Sequence, residues 1–238
     1  MKYENIISAT FLSRPNRFIA HIIVNSKDEI CHVKNTGRCK ELLLPGSNLY
    51  VQTNNNPKRK TKFDLIAVKK DGLLINMDSQ APNKVVEEWL TAGNLPGVTF
   101  IKPECKYKDS RFDFYMEFGQ QKAFMEVKGV TLEENGIVRF PDAPTERGLK
   151  HLHGLSTCAQ EGYKTFVLFV IQMQGVKYFE PNWKTHAAFG EALIDAQKAG
   201  VTILAYDCLV SKDTLEINHP VEVHLNELTK HAKIIIKK

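Results

Sequence analysis

The first 80 residues alternate between short apolar runs and turn-forming residues. The runs are rich in β-branched and aromatic side chains, and Gly, Pro, Asn, Asp or Ser separates them, as expected for short strands joined by turns. So many short strands in one small segment are typical of a closed barrel, and we expect an OB-like β-barrel. The predicted strands are residues 7–12, 18–24, 30–33, 49–52, 65–68 and 73–75.

The pattern changes near Pro82, where helical and strand-like segments begin to mix. Apolar side chains recur at helical spacing after Asn83, which we take as the N-cap of a first helix. A second helix is predicted after Thr145 and a third from His186 to Lys198, each followed by a buried strand. This order predicts a mixed α/β domain. Its predicted extended segments are residues 98–107, 111–118, 121–130, 130–140, 165–171 and 201–205.

The two patterns divide the chain into an OB-like basic barrel domain, residues 1–82, and an α/β domain with a basic C-terminal tail, residues 83–238. Charge follows the same division. Residues 1–82 hold 13 Lys and Arg against 7 Asp and Glu, a net charge of +6, whereas the rest has a net charge of −1. The asymmetry favours a polyanion-binding module beside one of another kind, although a merely basic surface would have the same charge.

Two further patterns concern the environment of the chain. No apolar run is long enough to span a membrane, and the N-terminal residues lack the apolar core of a signal peptide. We therefore expect a cytoplasmic protein without a membrane partner. The five cysteines are scattered and do not match metal-binding or redox spacing, which predicts reduced and mostly buried thiols.

Two carboxylates and a lysine form the candidate catalytic set. Side chains alternate along a strand, so Glu126 and Lys128 share one face, and Asp113 in the preceding run faces away from Phe112 and Phe114. The carboxylates converge if the two runs pair as a hairpin. Asp113 and Glu126 could then hold Mg²⁺ or Mn²⁺, while Lys128 orients a water for phosphodiester hydrolysis. An exposed ion pair between Glu126 and Lys128 is the alternative.

Residues on two predicted helices could complete this site. Glu87, four residues after Asn83, could add a third metal-binding carboxylate, although a solvated helix face fits it equally well. Arg147 and His151 are four residues apart on the later helix, so they share a face. Together they could contact a phosphate. An ordinary polar face is the alternative for this pair.

Basic residues of the barrel domain mark the predicted nucleic-acid contacts. A cationic groove with interleaved aromatic side chains is how such barrels bind single strands. Phe18, Tyr50 and Phe63 could stack on bases, or they could belong to the core. The predicted phosphate contacts are Arg14, Arg17, Arg38, Lys58, Arg59, Lys60 and Lys62.

Longer motifs resemble the sugar fermentation stimulation protein (SfsA) family over roughly residues 3 to 225. They are Asn-Thr-Gly-Arg at 35–38, Leu-Pro-Gly at 44–46, Asp-Ser-Gln-Ala-Pro-Asn at 78–83, Ser-Arg-Phe-Asp-Phe at 110–114, Glu-Val-Lys at 126–128 and Phe-Pro-Asp-Ala-Pro-Thr-Glu-Arg-Gly at 140–148. The chain departs from the family pattern at Gly129, where a serine is usual, and at Thr185-His186, where Asp-Pro is usual.

The resemblance implies an OB-like domain followed by a PD-(D/E)XK nuclease-like α/β domain. In that domain Asp113, Glu126 and Lys128 match the nuclease signature. It also implies DNA binding without sequence preference and a link to the regulation of sugar (maltose) use. Our first hypothesis is a metal-dependent nuclease acting on DNA, or on RNA. The alternative is a non-catalytic DNA-binding transcriptional regulator on a nuclease scaffold, because fold alone does not fix function.

A third hypothesis, a sugar-processing enzyme, has no carbohydrate-specific constellation of residues to support it. The sequence leaves open the oligomeric state and the role of the basic tail, residues 228–238.

Overall fold

The structure is a computed structural model that describes residues 1–35 and 37–226. The predicted C-terminal tail therefore lies outside the described residues. The first domain contains six strands: β1 (Ile6–Ser13), β2 (Ile19–Val24), β3 (Lys27–His32), β4 (Asn48–Thr53), β5 (Phe63–Lys70) and β6 (Leu73–Asn76).

Five of these strands close into a barrel in the order β1-β2-β3-β5-β4. Closure results from the pairing of β3 with the start of β5 and of β4 with β1, while β6 pairs with the end of β5. Alternate residues of β2, such as Ala20 and Ile22, point into the barrel and are fully buried. The predicted OB-like β-barrel is therefore confirmed.

The second domain begins with α1 (Ala81–Thr91) and a six-stranded mixed sheet follows. Its elements are β7 (Phe100–Tyr107), β8 (Ser110–Phe118), β9 (Gln121–Val130), β10 (Leu132–Glu134), β11 (Ile137–Phe140), α2 (Glu146–Gln160), β12 (Lys164–Ile171), β13 (Tyr178–Pro181), α3 (Trp183–Lys198), β14 (Thr202–Val210) and β15 (Leu215–Pro220).

The main sheet has the order β15-β14-β12-β9-β8-β7, with β9, β12 and β14 parallel to one another. Helix α1 packs on one face of this sheet, and α2 and α3 pack on the other. Strand β12 is buried along almost its whole length because both faces are covered. The chain thus has the predicted mixed α/β architecture.

Several predicted boundaries differ from the structure in ways that local chemistry explains. Helix α1 begins at Ala81 after Gln80, so Asn83 lies in the first turn and is not the N-cap. Pro82 sets this earlier start, since proline is favoured at the first positions of a helix. Residues 130–140 form two strands, β10 and β11, because Asn135 and Gly136 adopt positive φ and make a tight turn.

The late part of the chain also contains more structure than its pattern predicts. Helix α3 begins at Trp183, where the Asn182 side chain caps the Thr185 amide, and not at His186, whose backbone is not helical. Strands β13 and β15 were not predicted. Both are short, and β15 forms an antiparallel edge of the sheet.

A buried polar network joins the two domains beside the end of β12. Gln172 donates to the side-chain oxygen of Asn76 at 2.9 Å and to the backbone oxygen of Asp78 at 3.0 Å. The Asp78 carboxylate accepts from Lys34 of the barrel domain at 3.1 Å. Because Asn76, Asp78 and Gln172 are buried, the loss of any of their hydrogen bonds would be costly, and the network therefore stabilises the contact between the domains.

The described residues hold five free thiols, of which four are buried. The predicted burial of most of the cysteines is therefore confirmed. Among the same residues, no helix is long and apolar enough to cross a membrane.

Candidate active site and nucleic-acid interface

Asp113 lies where β8 and β9 separate at the end of their hairpin. Phe114 and Met125 form the last pair between these strands, and beyond them the Asp113 carboxylate accepts from the Val127 amide at 2.8 Å. Its other oxygen accepts from the side chain of Asn83 on α1 at 2.8 Å. The carboxylate therefore replaces a backbone partner in the sheet and links the sheet to α1.

Side-chain alternation is interrupted at this point. Phe112 packs in the cluster beneath α2 and α3, whereas Phe114 packs in the cluster beneath α1. The prediction that Asp113 faces away from both is therefore wrong in its simple form. Opposite Asp113, Glu104 of β7 has a positive φ of 53°, which breaks the regular pleat.

Glu126 is the buried centre of the candidate site and is 3% exposed. One oxygen, Oε1, accepts from Lys128 Nζ at 2.6 Å and forms a short hydrogen bond with His151 Nδ1. The other oxygen, Oε2, is buried and has no hydrogen-bond partner. Glu126 and Lys128 thus share one face of the strand, as predicted, and one carboxylate oxygen of Glu126 is left unpaired.

His151 reaches Glu126 from α2, where the Thr145 hydroxyl caps the Gly148 amide at 2.9 Å and begins the helix as predicted. Its far nitrogen, Nε2, accepts from Arg147 Nε at 3.4 Å, one turn earlier. Lys128 Nζ also lies 3.2 Å from Nδ1, so the side chains of Glu126, Lys128 and His151 form one compact polar cluster. His151 thus contacts Glu126, while Arg147 remains exposed at the rim.

The two carboxylates have opposite protonation tendencies. Burial and the charge of Glu126 raise the pKa of Asp113 above its ordinary value. Burial also acts to raise the pKa of Glu126, but the hydrogen bonds and charges of His151 and Lys128 outweigh it and lower this pKa. Lys128 and His151 therefore favour the ionised form of Glu126, whereas the charge of Glu126 disfavours ionisation of Asp113.

Of the three predicted metal-binding carboxylates, Asp113 and Glu126 suit a divalent cation, whereas Glu87 does not lie with them in the site. A buried unpaired carboxylate oxygen is costly, and a cation would satisfy it. Glu87 is exposed on α1 and does not join a hydrogen bond or ion pair found in the described residues. Residues 1–35 and 37–226 contain no cluster of three or more His, Cys, Asp or Glu side chains placed to hold a metal.

The basic residues of the barrel fall into two groups. Arg14 donates to four backbone carbonyl oxygens, those of Arg17, Asn35, Gly37 and Arg38, at 2.6–2.9 Å. Arg59 forms a bidentate ion pair with the buried Asp64. These two guanidinium groups therefore have protein partners that hold loops in place, which the sequence pattern did not reveal.

The remaining predicted cations are exposed on loops. Arg17 lies between β1 and β2, and Lys58, Lys60 and Lys62 lie between β4 and β5. Loops at these two positions bind oligonucleotides or oligosaccharides in OB-folds. The three aromatic side chains predicted either to stack on bases or to belong to the core also differ in exposure. Phe18 is 54% exposed, Phe63 is buried in the barrel core, and Tyr50 is partly buried.

The β3–β4 loop of the barrel contacts, through Lys34 and Arg38, the segments that precede both helices of the candidate site. Ser79, just before α1, donates to the Lys34 carbonyl at 2.7 Å. The Arg38 amide donates to the Asp142 carboxylate, just before α2, at 3.0 Å. Since α1 provides Asn83 and α2 provides His151, this loop connects the basic barrel to the two helices that flank the carboxylates.

Comparison with known proteins identifies the family. Residues 12–77 match the model of the SfsA N-terminal OB domain, and residues 80–214 match the sugar fermentation stimulation protein RE domain. The chain belongs to the SfsA family. A sugar fermentation stimulation protein homolog of Clostridium beijerinckii is 59% identical over 94% of this chain and 100% of its own, and that of Ruminiclostridium cellulolyticum is 58% identical over the same shares.

A solved SfsA structure shares the whole architecture. The Pyrococcus furiosus SfsA, determined in complex with Ca²⁺, is 27% identical, covers 94% of this chain and 98% of its own, and has a TM-score of 0.85. The family resemblance seen in the motifs is therefore confirmed. At Gly129, where this chain departs from the family pattern, a Cβ would lie 2.6 Å from Gln172 Oε1 and 2.8 Å from Pro82 Cγ.

Proposed function

We propose that this SfsA protein is a divalent-metal-dependent nuclease that holds a nucleic-acid strand against its barrel without sequence preference. The observation that carries this proposal is the buried, unpaired Oε2 oxygen of Glu126, beside Lys128 and close to Asp113. Carboxylates whose pKa values are shifted by burial and by specific charged neighbours are characteristic of functional sites. Asp113, Glu126 and Lys128 also match the PD-(D/E)XK signature.

The donor set favours a hard cation held by carboxylate oxygens. Asp113 and Glu126 would hold Mg²⁺ or Mn²⁺, and waters would complete a coordination shell that needs only one or two carboxylates. The Ca²⁺ found with the Pyrococcus furiosus relative supports a hard divalent ion. A bound metal would polarise the scissile phosphate and lower the pKa of a bound water.

The side chains around the carboxylates have distinct roles in this proposal. Lys128 orients the attacking water or balances charge that develops on phosphate oxygens. His151 fixes the orientation of Glu126 through Nδ1, and the exposed Arg147 contacts a phosphate of the substrate. Asn83 holds Asp113 from the other side. Glu87 has no demonstrated part in the geometry and would reach the metal only through a bound water.

In this proposal, the barrel domain binds the nucleic-acid strand. Exposed cations on the β1–β2 and β4–β5 loops face solvent at positions that bind oligonucleotides in OB-folds. Such contacts are with phosphates, so they carry affinity without sequence preference. We propose DNA as the partner, with RNA as the alternative, and a cytoplasmic location. The name of the relatives supports a link to sugar fermentation, and we propose that this link is the regulation of sugar (maltose) metabolism.

The second candidate function is a non-catalytic DNA-binding regulator on the same scaffold. Its supporting observation is that Lys128 and His151 already occupy one oxygen of Glu126. A closed ion pair of this kind can persist for structural reasons after loss of catalysis.

Cleavage assays separate the two functions. Labelled single- and double-stranded DNA and RNA are incubated with Mg²⁺ or Mn²⁺ and wild-type protein, Asp113→Asn or Lys128→Ala. The matched control is Lys106→Ala, because Lys106 belongs to a second Glu-x-Lys sequence but is exposed on β7. We expect metal-dependent cleavage by wild type and Lys106→Ala, and loss of cleavage in the other two. Tight binding without cleavage by wild type would establish the regulator instead.

A further inference from the structure

A pocket of about 670 Å³ lies between the barrel and the turn that precedes α2. We call it the interdomain pocket. Its walls are the β1–β2 loop around Arg17, the β3–β4 loop around Arg38 and Lys40, and the Ala143-Pro144 turn of the second domain. Its volume falls within the range of about 300–1,000 Å³ that is usual for small-molecule sites.

The lining of the interdomain pocket combines positive charge with an apolar floor. Arg17, Arg38 and Lys40 are exposed at its edge, and Leu12, Leu43 and Pro144 contribute apolar surface. No acidic side chain occurs among the described residues that line it. This lining suits an anionic ligand that also has an apolar body, because the cations bind the anion and the floor binds the body.

The walls of the interdomain pocket are held in position by bonds within the protein. The four carbonyl contacts of Arg14 join the β1–β2 and β3–β4 loops. Asn16 accepts from the amides of Phe18 and Ile19 at 2.9 and 3.1 Å, and the Arg38 amide is held by Asp142. A cavity whose walls are fixed in advance loses little entropy when it binds a ligand.

We propose that the interdomain pocket binds one unpaired nucleotide of the nucleic-acid strand. The base lies on the apolar floor, and the phosphates on either side contact Arg17, Arg38 and Lys40. This inference rests on the proposed nucleic-acid binding and names its substrate class: strands with an unpaired end, an overhang or a bulge. A base stacked and paired within a duplex cannot enter a cavity, whereas an unpaired base enters without the cost of unpairing.

The exposed ring of Phe18 supports a strand as the occupant. It directly follows Arg17, which lines the interdomain pocket, and is one of the few large apolar side chains exposed on the described surface. A ring in this position can stack on the next base of a strand. A free nucleotide would leave Phe18 without a partner.

Binding experiments with matched duplexes test the proposal. Fluorescence anisotropy in EDTA compares a blunt DNA duplex with the same duplex carrying one unpaired nucleotide, at its end or as a bulge. We expect wild-type protein to bind the unpaired forms about tenfold more tightly, a difference typical of one stacked base. Equal binding of all forms would overturn the pocket assignment and leave the nuclease proposal intact, whereas failure to bind either form would overturn both.

Variants of the pocket residues then test whether the interdomain pocket causes the tighter binding of duplexes with an unpaired nucleotide. Ala143→Trp fills the interdomain pocket, and Arg38→Ala removes an exposed guanidinium but keeps the amide bonded to Asp142. Both should lose the preference for unpaired forms, and melting curves confirm that they are folded. Lys27→Ala, an exposed cation on β3 outside the pocket, should retain it. Retention of the preference by a folded Arg38→Ala or Ala143→Trp protein would exclude this pocket as its source.

A competition experiment tests whether the interdomain pocket binds a nucleotide within a strand or a free nucleotide. Adenosine monophosphate should displace the overhang duplex only weakly, because it lacks the neighbouring phosphates and the base that stacks on Phe18. Displacement by adenosine monophosphate as strong as displacement by an unlabelled overhang duplex would overturn the assignment to a strand.

Discussion

Asn83 donates its side-chain amide to the Asp113 carboxylate at 2.8 Å, and this bond links α1 to the open end of the β8–β9 hairpin. A second hydrogen bond holds the other oxygen of Asp113, which accepts from the Val127 amide at 2.8 Å. Two neutral donors thus orient a carboxylate whose pKa is raised by burial and by Glu126. Both donors favour the ionised form that a metal requires.

Replacing Asn83 should therefore weaken metal binding without unfolding the protein. In Asn83→Ala, Asp113 loses one of its two orienting donors, and loss of such a supporting group costs about 10- to 100-fold in metal affinity. We expect calorimetry with Mn²⁺ to show this loss and the melting temperature to change little, because Asn83 is exposed. The neighbouring variant Lys84→Ala serves as the control and should bind as wild type does. Unaltered Mn²⁺ affinity in Asn83→Ala would contradict this role.

The architecture was more predictable from sequence than the details of the site. Strand alternation and the Thr145 cap depend on local patterns, so barrel, sheet and α2 were predicted. Asn83 was assigned as a cap because its contact with Asp113 spans 30 residues, although Pro82 indicated an earlier helix start. The partners of Arg14 and Arg59 were unpredictable for the same reason: charge shows that a cation is present, and only tertiary structure shows what it binds.

Arg59 should contribute to the stability of the barrel domain. It forms a bidentate pair with Asp64, which is buried and also approached by Lys34 and His32. Arg59→Ala leaves Asp64 with a buried charge and should lower the free energy of unfolding by about 2–3 kcal/mol. This is less than the ~3–5 kcal/mol for a fully buried pair, because Arg59 is partly exposed. Chemical denaturation measures the loss, and stability equal to wild type would contradict it.

The same ion pair predicts how stability depends on pH. Burial acts to raise the pKa of Asp64, but Arg59, Lys34 and His32 outweigh it and hold the pKa below its ordinary value. A lowered carboxyl pKa contributes stability that is present above the unfolded pKa of about 3.9 and is lost as pH falls through the folded pKa. Wild type should therefore lose more stability between about pH 5 and pH 3 than Asp64→Asn does. Parallel pH profiles of the two proteins would show that the pair is not responsible.

The exposed lysines of the β4–β5 loop should affect the binding of DNA but not the stability of the protein. Lys58→Ala and Lys60→Ala should each weaken binding to DNA of any sequence and reduce the slope of log K against log salt concentration by about one, because each removes one phosphate contact. Their melting temperatures should match wild type, in contrast to Arg59→Ala. Anisotropy titrations at several salt concentrations measure the slope. A slope unchanged in both variants would place the strand away from this loop.

Gly129 should be intolerant of a side chain although serine is usual at this position in the family. Gly129→Ala places a Cβ 2.6 Å from Gln172 Oε1 and 2.8 Å from Pro82 Cγ, inside the network that joins the two domains. Overpacking of this kind costs about 1–3 kcal/mol. We expect denaturation to show that loss, and the double variant Gly129→Ala with Pro82→Ala to lose less than the sum of the two single variants. Additive losses would mean that contact with Pro82 is not the cause.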